Sequence, residues 1–194
     1  MGMGKFKFKR GFKSESEKKA LFYRKKLDLK KYDPLPSDRL AHHLRVKIIF
    51  PSNIPGMNAK LLSRVQSKNE WSAVTIQTET GNVIIHNDKH SLARQESDIM
   101  HELAHLICKH PFDALKIDQA GNICLRSYIE EYEKEAEWLG GCLQLNRESL
   151  LWSLSKRMDV NSISRHFCAS KVMVTFRLNM TGVLRQYPYF DPFS

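Results

Sequence analysis

The sequence predicts an α+β fold: a mainly helical domain, a small antiparallel sheet packed on its central helix, and a C-terminal segment of helix-turn-helix type. Three observations predict it. Apolar residues recur at helical spacing through residues 91–110 and again through 147–181, whereas strand-like alternation is confined to residues 71–86. A chain of 194 residues, 42% of them hydrophobic, is long enough for one good core and short for two.

In chain order, the first 31 residues carry twelve Lys or Arg against Glu15, Glu17 and Asp28, and so hold nearly all of the net charge of +10. Like-charge runs resist folding, so residues 1–16 read as a disordered arm. With Phe6, Phe8 and Phe12 interleaved, the basic residues of 1–31 also suit docking on nucleic acid or on an acidic partner. Residues 17–26 read as a helix. The turn at Asp33-Pro34-Leu35-Pro36 follows, and then Ser37 or Asp38 can cap a short helix over 39–44. His42 and His43 are adjacent there, so they cannot both face one ion, and they read as surface histidines.

Val46-Lys47-Ile48-Ile49-Phe50 is a short apolar run stopped by Pro51, which suits a buried or edge strand. Pro55 and Gly56 make a turn, and 58–68 is a short helix or ordered loop with Leu61, Leu62 and Val65 facing in. A hairpin comes next. Ala73, Thr75 and Gln77 alternate with Val74 and Ile76, residues 79–82 turn, and 83–86 return. His86 and His90 stand just before the central helix, where they could orient a substrate or simply be structural.

Residues 91–110 contain His101-Glu102-Leu103-Ala104-His105, an H-E-x-x-H pattern. At helical pitch the two histidines stand one above the other and can grip one metal ion, while Glu102 beside them can take a proton from a water that the ion activates. Met100, Leu103 and Ile107 form an apolar stripe that buries this helix. Ionisable groups beside such a stripe are costly unless paired or bound to metal. His110-Pro111 ends the helix. A loop over 113–126 then crosses to a second helix, turning at Gly121 and Asn122; Tyr128 beyond it could stabilise an oxyanion or pack.

A zinc site needs a third protein ligand, with a fourth position left for water. Residues 128–146 supply one on a face where Glu133, Ala136, Glu137 and Gly140 recur at helical spacing. Gly140 and Gly141 each cost a helix about 1 kcal/mol relative to alanine. Close approach to the first helix would justify them and bring Glu133 to the ion. Glu137, one turn on, could then accept a hydrogen bond from a ligand histidine. Glu130, Glu131 and Glu135 read as a solvated acidic run.

These two helices resemble the ImmA/IrrE family of metallopeptidases. His101, Glu102 and His105 match the family's first motif, and 133–140 with Leu143 and Leu145 match its second; Glu137 replaces the usual asparagine, and Leu139-Gly140 the usual phenylalanine-alanine. The resemblance implies a zincin-like domain over 17–146 with helices of 147–183 packed on it. It implies Zn2+ held by His101, His105 and Glu133, and Glu102 as the general base of an endopeptidase. The implied substrate is a helix-turn-helix repressor or antitoxin-like regulator of a phage, mobile element, stress response or toxin-antitoxin operon. The other class open to the sequence is a regulatory binding protein whose metal site is structural or silent.

After Asn146 three helical pieces are expected: 147–158, 160–167 capped by Asp159, and 171–180 capped by Ser170 and stopped at Gly182. The last two have helix-turn-helix spacing, which serves DNA reading or plain three-helix packing. Residues 184–194 form an aromatic, proline-rich tail that could dock near the cleft or elsewhere on the surface. Cys108, Cys124, Cys142 and Cys168 are scattered, so they read as buried free thiols of a reducing compartment and not as a disulfide frame or second zinc site. No apolar run has the length of a membrane span and no leader pattern is seen, so a cytoplasmic protein is expected.

Overall fold

The computed structural model describes residues 8–53, 72–78, 80–111, 116–117, 123–124 and 129–193. Among these residues the fold is α+β, with seven α-helices and a three-stranded sheet. Helix α1 spans Phe12–Lys26 and α2 spans Ser37–His43. Strand β1 (Lys47–Ile49), β2 (Ala73–Thr78) and β3 (Gly81–His86) precede the central helix α3 (Leu92–Cys108). A short antiparallel ladder of β4 (Lys116–Ile117) with β5 (Ile123–Cys124) lies where a loop is expected. Helix α4 (Glu130–Gln144) follows, and α5 (Arg147–Ser155), α6 (Val160–Phe167) and α7 (Lys171–Thr181) close the chain. The expectations for 55–56, 58–68, Gly121, Asn122 and Tyr128 lie outside the described residues.

The expected hairpin is present, with Thr75 paired to Ile84 and Thr78 to Gly81. The sheet is mixed, however, because β1 joins β3 in parallel, Ile48 opposite Ile84. Among the described residues the order β1-β3-β2 leaves β2 at an edge. Paired residues share a face, and here Ile48, Ile84 and Thr75 form one row across the sheet. Ile84 is fully buried and belongs to one core with Met100 and Leu103 of α3. Thr75 therefore stands on the face that α3 covers.

Helix α1 begins at Phe12 and so takes in part of the expected disordered arm. The reason is aromatic packing. Phe8 stacks on Phe12 at 5.4 Å, Phe8 also meets Trp138 of α4, and the Lys13 ammonium sits 4.0 Å from the Trp138 ring centre. Further cations of this segment are committed inside the chain: Lys31 pairs with Glu148 at 2.7 Å, and Arg24 is buried. Arg24 donates to the carbonyls of Asp33, Ala20 and Gln144. Burial lowers its pKa to about 10.

A second apolar cluster joins α5, α6 and α7 through Leu150, Leu154, Ile163, Phe167, Val174 and Leu178. Asp159 and Ser170 cap as expected, each accepting from the third residue of its helix, and Asn146 does the same for α5. The cap expected from Ser37 or Asp38 does not form, because α2 begins at Ser37, straight after Pro36, and takes both residues into its first turn. Arg177 of α7 is fully buried. It donates to the Leu145 carbonyl at 3.0 Å and to the Glu17 carboxylate of α1, and its guanidinium lies 5.4 Å from the Trp138 ring centre of α4. The aromatic tail docks on these helices, with Tyr187 donating to the Leu151 carbonyl and Val160 to that of Pro192. No helix among the described residues is long and apolar enough to cross a membrane. Cys108, Cys142 and Cys168 are free thiols; Cys142 is buried, and Cys108 and Cys168 are half-buried.

Candidate metal centre

Helix α3 presents His101 and His105 from one face, their rings edge to face with centroids 4.7 Å apart. The two Nε2 atoms are 3.0 Å apart. Helix α4 lies close enough to add Glu133, whose Oε2 is 3.1 Å from His101 Nε2 and 3.6 Å from His105 Nε2. Gly140 makes that approach possible. A Cβ built there would stand 3.3 Å from the backbone of Met100 and His101, tighter than nearly all such contacts, so any side chain would push the helices apart by a few tenths of an ångström. Gly141 faces the other way, toward Met173 and Arg177.

Three acceptor atoms thus converge from two helices separated in sequence. Ligands of a tetrahedral zinc ion held at about 2.0–2.1 Å stand roughly 3.3 Å from one another. The observed separations bracket that value, so the donor set fits such an ion. Hydrogen bonds with the His101 and His105 rings hold the Glu133 carboxyl far below the usual carboxylate range. His105 is buried, whereas the side chains of His101 and Glu133 remain 31% and 24% exposed, which leaves the centre open to solvent on their side.

A family model described as the IrrE N-terminal-like domain, a peptidase family, matches residues 42–179. The chain belongs to this family. No curated protein matches the chain as a relative. The matched span of this IrrE N-terminal-like peptidase includes all three convergent residues and Glu102.

Glu102 is nearly buried between α3 and the sheet. The Thr75 hydroxyl of β2 donates to its Oε2 at 2.5 Å, an anchor that nothing in the hairpin pattern singled out. Glu137 does not reach a ligand histidine. Its carboxylate is about half exposed and pairs with Lys134 at 3.2 Å, because one further helical turn carries it past the centre toward solvent.

The place beside His105 belongs to a residue the sequence reading used only as a helix stop. His110 Nδ1 lies 2.8 Å from His105 Nδ1, and His110 Nε2 lies 3.0 Å from Glu135 Oε2. Tyr132 stacks on the His110 ring, centroids 4.6 Å apart. Glu135, expected to be solvated, is buried. Of the other histidines, His86 is buried against Phe50, and His90 meets Asp98 at 3.3 Å. His42 and His43 are exposed, as expected.

Proposed function

We propose that this protein is a zinc-dependent endopeptidase. The observation that carries the reading is the convergence of His101, His105 and Glu133 beside an anchored Glu102. Zinc would supply a Lewis acid that activates water near neutral pH and polarises a peptide carbonyl. The chain's own residues do the rest. His101, His105 and Glu133 would hold the ion, and Glu102 would accept the water proton and pass it to the leaving amine. The Thr75 hydroxyl keeps one Glu102 oxygen occupied and leaves the other for that proton.

The edge position of β2 among the described residues supports a polypeptide substrate. An extended peptide can pair with an open strand edge through backbone hydrogen bonds, which need little side-chain sequence. The substrate class we propose is a DNA-binding helix-turn-helix repressor or antitoxin-like regulator, in keeping with the family resemblance of the two motifs, and the setting is cytoplasmic. Basic residues of 1–31 that remain free of internal partners would assist docking of a nucleic acid or an acidic protein.

The test is Glu102→Gln. The variant is expected to carry as much zinc as wild type and to lose cleavage of a helix-turn-helix protein encoded beside it by about 10²- to 10⁴-fold, the range for a general base. Unchanged biological activity in this variant would favour capture of the regulator without hydrolysis.

A further inference from the structure

We propose that His110 and Glu135 act as positioning residues behind the metal centre, ordering the protons of His105 so that its Nε2 lone pair is presented to the ion. The inference rests on the metal reading above. A neutral imidazole carries one ring proton, so a ring that offers Nε2 to a metal must hold its proton on Nδ1. That proton needs an acceptor. Among the described residues His110 Nδ1 lies 2.8 Å from His105 Nδ1, and it can accept that proton when His110 holds its own on Nε2. The His110 Nε2–H then donates to the Glu135 carboxylate at 3.0 Å. In this arrangement each ring proton along the relay meets an acceptor, and the relay ends on a carboxylate.

Burial makes that ordering costly to break. His105, His110 and Glu135 are 1%, 5% and 8% exposed, so water does not replace a lost partner. The backbone fixes the same geometry. Lys109 is left-handed at φ 58° and turns the chain back under α3, where the His110 N–H donates to the His105 carbonyl at 3.0 Å. Tyr132 then closes over the His110 ring. Partners of this kind change metal affinity by about 10- to 100-fold.

Cys108, His110 and Glu135 also bring ligand-type atoms within 4.8 Å of one another, which raises the rival arrangement of a second ion at that spot. The two are incompatible. An ion on His110 Nε2 would move the His110 proton to Nδ1, where it would oppose the proton on His105 Nδ1.

The experiment combines zinc titration against a competing chelator with nitrogen-15 NMR of the histidine rings. In zinc-loaded wild type we expect one ion per chain, His105 protonated on Nδ1 and His110 on Nε2. His110→Phe keeps a ring against Tyr132, and its zinc dissociation constant should rise about 10- to 100-fold. His110→Gln, which restores an acceptor, should recover part of the loss. Zinc affinity unchanged in His110→Phe, a proton on His110 Nδ1, or a second ion lost on Cys108→Ala would each overturn the proposal while leaving the metal centre standing. Should a variant fail to fold, the wild-type proton positions decide. Wild type that binds no zinc would overturn the metal reading together with this one.

Discussion

The Thr75 hydroxyl donates a 2.5 Å hydrogen bond to Oε2 of Glu102, tying the edge strand β2 to the helix that carries both histidines. A carboxylate on a helix can swing among rotamers; this contact holds one of them. Hydrogen bonds to charged groups contribute about 1.5–3 kcal/mol. Thr75→Val, nearly the same in shape, is therefore expected to lower kcat about 10- to 100-fold with zinc content unchanged, while Thr75→Ser keeps most of the rate. Steady-state kinetics with metal analysis of both variants checks this.

Gly140→Ala and Gly141→Ala should differ in sign. Alanine at 140 meets the backbone of α3 at 3.3 Å, and the few tenths of an ångström it needs would come from separating α4 from the helix that carries the histidines. We expect a stability loss of about 1–3 kcal/mol, as for other overpacked contacts, and weaker zinc binding. Alanine at 141 meets only the side chains of Met173 and Arg177. There the gain in helix propensity of about 1 kcal/mol should leave stability level or raised. Denaturant melts of the two variants decide it.

Glu17→Ala removes the carboxylate that faces the fully buried Arg177 and also accepts from the Arg147 N–H at 2.8 Å. An uncompensated buried guanidinium is expensive. The expected loss is about 2–3 kcal/mol, at the low end of broken buried pairs because Glu17 is partly exposed. Thermal unfolding should show a midpoint lower by roughly 4–12 °C. A neutral outcome would mean that the Glu17–Arg177 pair does not form as described.

Cys142 should resist alkylation. Its thiol is fully buried, and burial foremost, with the Glu17 carboxylate adding to it, pushes its pKa up to about 12. At pH 8 only about one thiol in 10⁴ is then the reactive thiolate. Mass spectrometry after iodoacetamide treatment should find Cys142 unmodified in the native protein, and modified only once denaturant unfolds the chain.

Zinc added to chelator-stripped protein should raise the unfolding midpoint. An ion that binds only the folded state adds about 2.7 kcal/mol at a hundredfold excess over its dissociation constant. The increment should vanish in a His101→Ala, His105→Ala double variant, which calorimetry can follow.

The sequence by itself determined the local elements and the three convergent residues. Helix pitch places His101 and His105 together whatever surrounds them, and two adjacent glycines in a helix demand a packing reason, which α3 supplies for Gly140 and α7 for Gly141. Two caps were legible for the same reason: Asp159 and Ser170 act on groups three residues away. Only the tertiary structure decided the partners that span the chain. Thr75 reaches Glu102 across 27 residues, and Glu135 reaches His110 across 25. Glu137 carried a stronger sequence signal than Glu135, yet helix rotation sends the one to solvent and the other inward. The basic arm shows the same limit. Its charge argued for disorder, but over residues 8–16 Phe8, Phe12 and Lys13 pack onto Trp138, a residue no pattern within the first 31 positions could announce. Periodicity and capping act over a few residues and so are written locally, whereas burial and pairing depend on which distant surfaces the fold brings together.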